Sequence, residues 1–98
     1  MRAGIYFTGS GPIVVLTSFD SLDQPELVEK LAAKGIVKFI AFEVPVDEVR
    51  EKYGVHYESI LRDVRQQDDL RVLDYNGHRV FKRFRLSKLG SPVYHEPE

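Results

Sequence analysis

The run "IVKFIAFEV", from Ile36 to Val44, constrains the fold more than any other segment of the chain. It is apolar at every position except Lys38 and Glu43. A strand with one face in water alternates apolar and polar side chains, whereas a strand covered on both faces is apolar almost throughout. The run therefore predicts a central β-strand in a sheet that has to be covered on both faces.

The glycines of "TGSGPIVVL", from Thr8 to Leu16, pose a choice between a phosphate-binding loop and a turn. A phosphate-binding loop needs its glycines at the start of a helix, where free N–H groups and the helix dipole meet the anion. Here the glycines precede a β-branched, apolar run, and Pro12 has no N–H to donate. We therefore predict a hairpin turn, in which Gly9 and Gly11 supply the positive φ angles.

Two helical regions are predicted around the apolar run. In the first, Asp23 is the expected N-cap, Pro25 falls in the first turn and Gly35 follows the last turn. The second begins near Asp47 and is interrupted at Gly54. Its later part carries a single apolar face, which consists of Tyr57, Ile60, Leu61 and Val64.

A second hairpin is predicted from the pair Asn76-Gly77, which type I′ turns prefer because both central residues need positive φ. Its two strands extend over Leu70 to Leu86, and the register places Arg71 opposite Lys82. The polar residues 87–98, which include two prolines, predict an extended and partly frayed C-terminal tail.

These segments predict one α/β (α+β) domain over residues 1–98, with the element order ββαβα(α)ββ. A strand–helix–strand connection is nearly always a right-handed crossover, so we expect a mixed sheet of about five strands with helices mainly on one face. The other face would then be apolar and uncovered. A second copy of the chain is its expected cover, which predicts a homodimer.

Composition limits the compartment and the partners. The formal net charge is −1, so no global field attracts the protein to nucleic acid or to an anionic membrane. The sequence has no cysteine, its first residues lack the features of a signal peptide, and no apolar run approaches the ~20 residues that cross a bilayer. We expect a soluble, cytoplasmic protein without a membrane partner.

One segment points to a class of partner. In "HRVFKRFRLSK", basic residues alternate with Phe81 and Phe84, a pattern that allows phosphate contacts and base stacking on a strand. The anion-binding candidates are Arg71, Arg79, Lys82, Arg83 and Arg85. The alternative is a solvated strand edge, whose charges prevent pairing with other chains.

A catalytic site has only one candidate location. His78 lies at the predicted turn with Tyr75 and Asp74 nearby, which is the closest approach to an acid–base constellation in the chain. His56 and His95 have no partner at metal-ligand or catalytic spacing. We therefore predict neither a metal nor a cofactor.

The sequence favours a dimeric binding or regulatory module without catalysis, whose partner is a small molecule or another protein. Two alternatives stay open. One is nucleic-acid or anion binding through the basic hairpin, and the other is an enzyme with a site near His78.

Overall fold

A computed structural model of the chain describes residues 1–9, 11–74 and 92–96. Within these ranges the chain forms strands, α-helices and one 3-10 turn in the predicted alternation. The strands are β1 (Arg2–Thr8), β2 (Gly11–Thr17), β3 (Phe39–Val44), β4 (Leu70–Asp74) and β5 (Val93–His95). The α-helices are α1 (Pro25–Ala33), α2 (Val46–Tyr53) and α3 (Tyr57–Gln66), with the 3-10 turn over Gly54–His56 between the last two. The predicted α+β fold class is confirmed.

The described strands form one sheet in the order β4-β2-β1-β3-β5, and every pair of neighbours is antiparallel. The expectation of a mixed sheet was therefore wrong. The strands β2 and β3 do run in the same direction on either side of α1, as a crossover requires, but β1 lies between them. The central strand is β1, and the Ile36–Val44 run supplies β3, one position further out.

The first face of the sheet is covered by α2 and α3. Ala3 and Ile5 on β1, with Val14 and Leu16 on β2, point to this face because alternate residues of a strand share a side. They pack against the buried helix residues Val49, Tyr57, Ile60 and Val64. The helical face predicted for the second helical region is confirmed, with Leu61 half-buried at its margin.

The opposite face of the sheet is covered by α1. Tyr6 on β1 and Val15 on β2 point to this face, and Leu27 and Leu31 of α1 are fully buried against it. Two of the three α-helices do lie on one face, but the inference that the other face lacks a cover was wrong. The chain itself covers both, because the β2–β3 connection passes over one face and the β3–β4 connection passes over the other.

The ends of α1 follow the sequence signals in part. Pro25 begins the helix and Gly35 follows it with a φ of 90°, as predicted. The N-cap is Gln24 instead of Asp23, and no side chain caps the first turn. Across the described ranges, the helices are too short or too polar for any of them to span a membrane.

The turn between α3 and β4 is fastened to β2. The Thr17 hydroxyl donates a hydrogen bond of 2.7 Å to the Asp69 carbonyl, and the Ser18 amide donates one of 3.0 Å to the same oxygen. Asp68 and Asp69 have φ angles of 63° and 60°, a left-handed conformation that residues other than glycine rarely adopt. The buried Thr17 thus holds a strained turn in place.

The C-terminal part of the chain is described at two places. Leu70–Asp74 is β4, which agrees with the first strand of the second predicted hairpin. The Asn76-Gly77 turn and the second strand of that hairpin lie outside the described residues. Val93–His95 pairs with β3 as β5, so at least this part of the predicted tail is ordered as an extended segment. The boundary of the tail at residue 87 stays a prediction.

Candidate functional site

Most of the predicted site residues lie outside the part of the chain that the structure describes. This holds for Arg79, Lys82, Arg83 and Arg85 of the anion-binding set and for His78 and Tyr75 of the catalytic set. Asp74 is described only as the last residue of β4. Both hypotheses at this hairpin therefore stay predictions.

Arg71 is the one anion-binding candidate whose side chain is described. Its guanidinium donates a hydrogen bond of 2.5 Å to a carboxylate oxygen of Asp63 on α3, and the two groups form an ion pair. The predicted register places Arg71 opposite Lys82, and facing like charges are destabilising unless water, an acid or an anion separates them. Asp63 is such an acid, so no ligand is needed to explain a cation at this position.

An opening lies where the β1–β2 hairpin, the α1–β3 loop and β5 meet, and we call it the edge pocket. Its volume is about 560 Å³. The walls are mainly apolar and aromatic, and they include Phe7, Ile36, Val37, Phe39, Ile40 and Tyr94. A concave, mostly apolar cavity of this size is typical of a small-molecule site.

Several apolar side chains of the edge pocket are exposed to solvent. Tyr94 is 70% exposed, Val37 is 51% exposed and Ile40 is 39% exposed. Ile40 and Tyr94 are directly opposite each other on β3 and β5, so they point to the same side of the sheet. Neither Ile40 nor Tyr94 is among the described members of the core under α2 and α3, which agrees with their exposure.

The polar groups of the edge pocket are few and lie beside this apolar wall. Lys38 Nζ and Glu96 Oε1 are 3.1 Å apart, and we call these two residues the rim pair. The His95 ring stacks on Phe39, with ring centroids 5.3 Å apart and planes inclined by 30°. The Thr8 hydroxyl donates to the Gly11 carbonyl over 2.9 Å.

The glycine segment contributes to the edge pocket as a turn. Thr8 pairs with Gly11 at the end of the β1–β2 hairpin, which confirms the predicted hairpin, and Ser10 lies outside the described residues. Gly11 has a φ of 112°, but Gly9 does not lie in the positive region, so that part of the prediction was wrong. Thr8 and Gly9 line the pocket without a helix N-terminus beside them.

A second opening, of about 420 Å³, has mainly polar walls. Lys34, Gln66, Gln67, Asp68 and Arg71 are among the residues that line it. Two of its charged groups are already paired, Arg71 with Asp63 and Asp68 with Lys30 over 3.4 Å. It offers little apolar surface to a ligand, so the edge pocket is the stronger candidate.

In the described ranges, neither the buried Tyr6 hydroxyl nor the exposed His56 belongs to an acid–base cluster. The Tyr6 hydroxyl donates a 2.8 Å hydrogen bond to the Leu22 carbonyl. Burial, with a smaller contribution from the negative charge of Asp23, raises the pKa of Tyr6 far above the usual range of tyrosine. His56 is exposed in the 3-10 turn, and no three His, Asp or Glu residues in these ranges are grouped as metal ligands.

Comparisons with protein-family models, curated proteins and solved structures found no match for this chain. A function therefore has to be argued from the geometry of the site. Sequence reasoning did not single out the edge pocket, because its walls come from three separate parts of the chain. A sequence signal for the part that β5 contributes is the apolar pair Val93-Tyr94 inside a polar tail.

Proposed function

We propose that the protein is a binding module for small molecules, and that the ligand occupies the edge pocket. The observation that carries this proposal is the combination of a cavity of about 560 Å³ with apolar walls and a few polar groups at one side. Apolar walls supply most of the affinity in such sites, and the polar groups fix the orientation of the ligand.

The exposed apolar side chains support this proposal. Val37, Ile40 and Tyr94 would lose contact with water when a ligand binds, and each square ångström of apolar surface removed from water contributes roughly 25 cal/mol. Isolated exposed apolar residues are common, but three of them around one concavity make a site for an apolar ligand.

Binding without chemistry is the form of the proposal that the polar groups favour. The Lys38 and Glu96 charges are directed at each other, and the Thr8 hydroxyl is engaged with a main-chain carbonyl. The described contact of the His95 ring is with the apolar ring of Phe39. A general acid or base would need a partner that sets its proton affinity and a clear approach to the substrate.

The experiment is a titration of the ¹⁵N-labelled protein with a set of small aromatic fragments, followed by amide chemical shifts. Support for the proposal would be shifts at the amides of Thr8 and Gly9, of residues 35–38 and of residues 94–96. Shifts confined to residues around the second opening, such as Gln66 and Asp68, would contradict it. The absence of any shift at millimolar fragment concentrations would also contradict it.

We also propose a homodimer. An uncovered sheet face no longer supports it, because the chain covers both faces. The supporting observation is that Tyr94 and Ile40 are exposed beside β5, the outermost described strand on this side of the sheet. A second copy that packs against Tyr94 and Ile40 would bury both side chains. Sedimentation at micromolar concentration tests it: Tyr94→Lys should convert a dimer into a monomer, and a wild-type monomer at every concentration would exclude the dimer.

Location in the cytoplasm stays a prediction.

A further inference from the structure

The two residues of the rim pair lie at corresponding positions beside two neighbouring strands. Lys38 immediately precedes β3 and Glu96 immediately follows β5. Phe39 pairs with His95 in the adjacent register position, so Lys38 and Glu96 continue the antiparallel ladder as opposite residues. Their 3.1 Å contact is therefore produced by the strand register.

These two residues carry the only full charges among the described lining residues. Because the charges are opposite and adjacent, the described lining of the pocket offers no net charge to a ligand. An anionic ligand that approaches Lys38 has to displace Glu96 or is repelled by it. A cationic ligand that approaches Glu96 has to displace Lys38 or is repelled by it. The side chains of Lys38 and Glu96 are 69% and 74% exposed, so water screens both effects and each is modest.

The aromatic side chains indicate the shape of the ligand. His95 stacks on Phe39 with the ring planes inclined by 30°, and the Tyr94 ring, which points to the opposite face of β5, is largely exposed. Flat rings gain from stacked or edge-to-face contacts with such side chains beyond the area that they bury. An aliphatic ligand of equal size would gain only the burial.

We infer that the edge pocket prefers uncharged ligands that contain a flat aromatic ring, and that the rim pair weakens the binding of both anionic and cationic analogues. The inference rests on the proposed function, because it specifies the ligand of the same pocket. It adds a statement about charge that the pocket's shape and apolar walls do not require.

The test uses three probes with the same ring and different charge: indole-3-acetamide, indole-3-acetate and tryptamine. Titrations of the full chain at pH about 8, where a carboxylate is ionised and an alkylamine is protonated, give their relative affinities. The neutral amide should bind roughly two- to fivefold more tightly than either charged probe, which is the range that an exposed ion pair provides.

Two variants test the cause of this preference. Lys38→Met leaves Glu96 unpaired and should shift the preference towards tryptamine, whereas Glu96→Gln leaves Lys38 unpaired and should shift it towards indole-3-acetate. Both side chains are exposed, so neither change should affect folding. Opposite shifts in the two variants would support the inference.

The results separate failure of the inference from failure of the proposed function. Equal binding of all three probes, or a preference that both variants leave unchanged, would overturn the role of the rim pair while the pocket stays a binding site. If none of the probes binds and the fragment titration leaves the amides of the pocket unshifted, the proposed function fails and the inference fails with it.

Discussion

The hydroxyl of Tyr6 on β1 donates a hydrogen bond of 2.8 Å to the main-chain carbonyl of Leu22 in the loop before α1. The two residues also pack together over Gly4, where an added Cβ would lie 2.9 Å from Leu22 Cδ1. All of this contact is buried on the α1 face. It joins the loop to the central strand and so fixes the position from which α1 begins.

The first prediction concerns this hydrogen bond. Tyr6→Phe keeps the ring but leaves the Leu22 carbonyl without its buried donor, so we expect the free energy of unfolding to fall by about 1–3 kcal/mol. Urea denaturation measures the loss. Tyr94→Phe is the matched control, since the exposed ring should tolerate the change within about 0.5 kcal/mol. Equal effects of the two substitutions would contradict the assigned role of Tyr6.

The second prediction concerns alkaline pH. Because the folded state raises the pKa of Tyr6, the folded protein keeps the proton in a range where the unfolded chain, with a pKa of about 10, releases it. The stabilisation is fully present below about pH 10 and is lost as the pH rises above this value.

The free energy of unfolding should therefore fall above about pH 10 more steeply in the wild type than in Tyr6→Phe, by up to about 1.4 kcal/mol per pH unit. Denaturation curves at several pH values between about 9 and 12 measure this. Tyr94→Phe retains Tyr6 and should follow the wild-type slope. A Tyr6→Phe variant with the wild-type slope would show that Tyr6 is not the group responsible.

The third prediction concerns the strained turn before β4. Asp69→Gly should stabilise the protein by up to about 1 kcal/mol, because glycine adopts positive φ without steric cost and the Thr17 bond uses only the main chain of Asp69. The contrasting control is Asp47→Gly in the first turn of α2, which removes a carboxylate that the helix dipole favours as well as helix propensity, and should destabilise by about 0.5–1 kcal/mol. A loss of stability in Asp69→Gly would mean that its side chain has a role the described contacts do not reveal.

The fold could be predicted from the sequence where the signals are local. The β1–β2 hairpin follows from two apolar runs around glycines, and the helical face with Ile60 and Val64 follows from its period. The sequence could not predict in the same way what covers the two faces of the sheet. The four successive apolar residues from Ile13 to Leu16, all of them buried in the structure, indicate that both faces are covered, but not whether the chain or a second copy covers them.

The candidate site was harder to predict than the fold, for a physical reason. Val37, Ile40 and Tyr94 approach each other only because β5 pairs with β3, and a three-residue strand gives almost no sequence signal. The basic hairpin attracted attention because its pattern is contiguous. Its described member, Arg71, is paired with an acid from α3 that lies eight positions earlier in the chain.

The fourth prediction concerns Arg71. Asp63→Asn removes the partner carboxylate, and since both side chains are more than a third exposed we expect a loss of less than about 1 kcal/mol. Urea denaturation measures it. We also expect no binding of single-stranded RNA by the wild type in a gel-shift titration at about 50 mM salt. A shift with the wild type that becomes stronger in Asp63→Asn would instead support the anion-binding alternative at the basic hairpin.

The most direct test of the edge pocket is the affinity for indole-3-acetamide in two matched variants, measured by calorimetry. Val37→Trp places a large side chain at the wall of the pocket, whereas Val55→Trp places the same side chain in the 3-10 turn, at a position that is 90% exposed and does not line the pocket. We predict that Val37→Trp weakens binding roughly tenfold or more, a loss of about 1.4 kcal/mol, and that Val55→Trp leaves the affinity unchanged. Unaltered binding in Val37→Trp, or equal weakening in both variants, would contradict the assignment of the edge pocket as the ligand site.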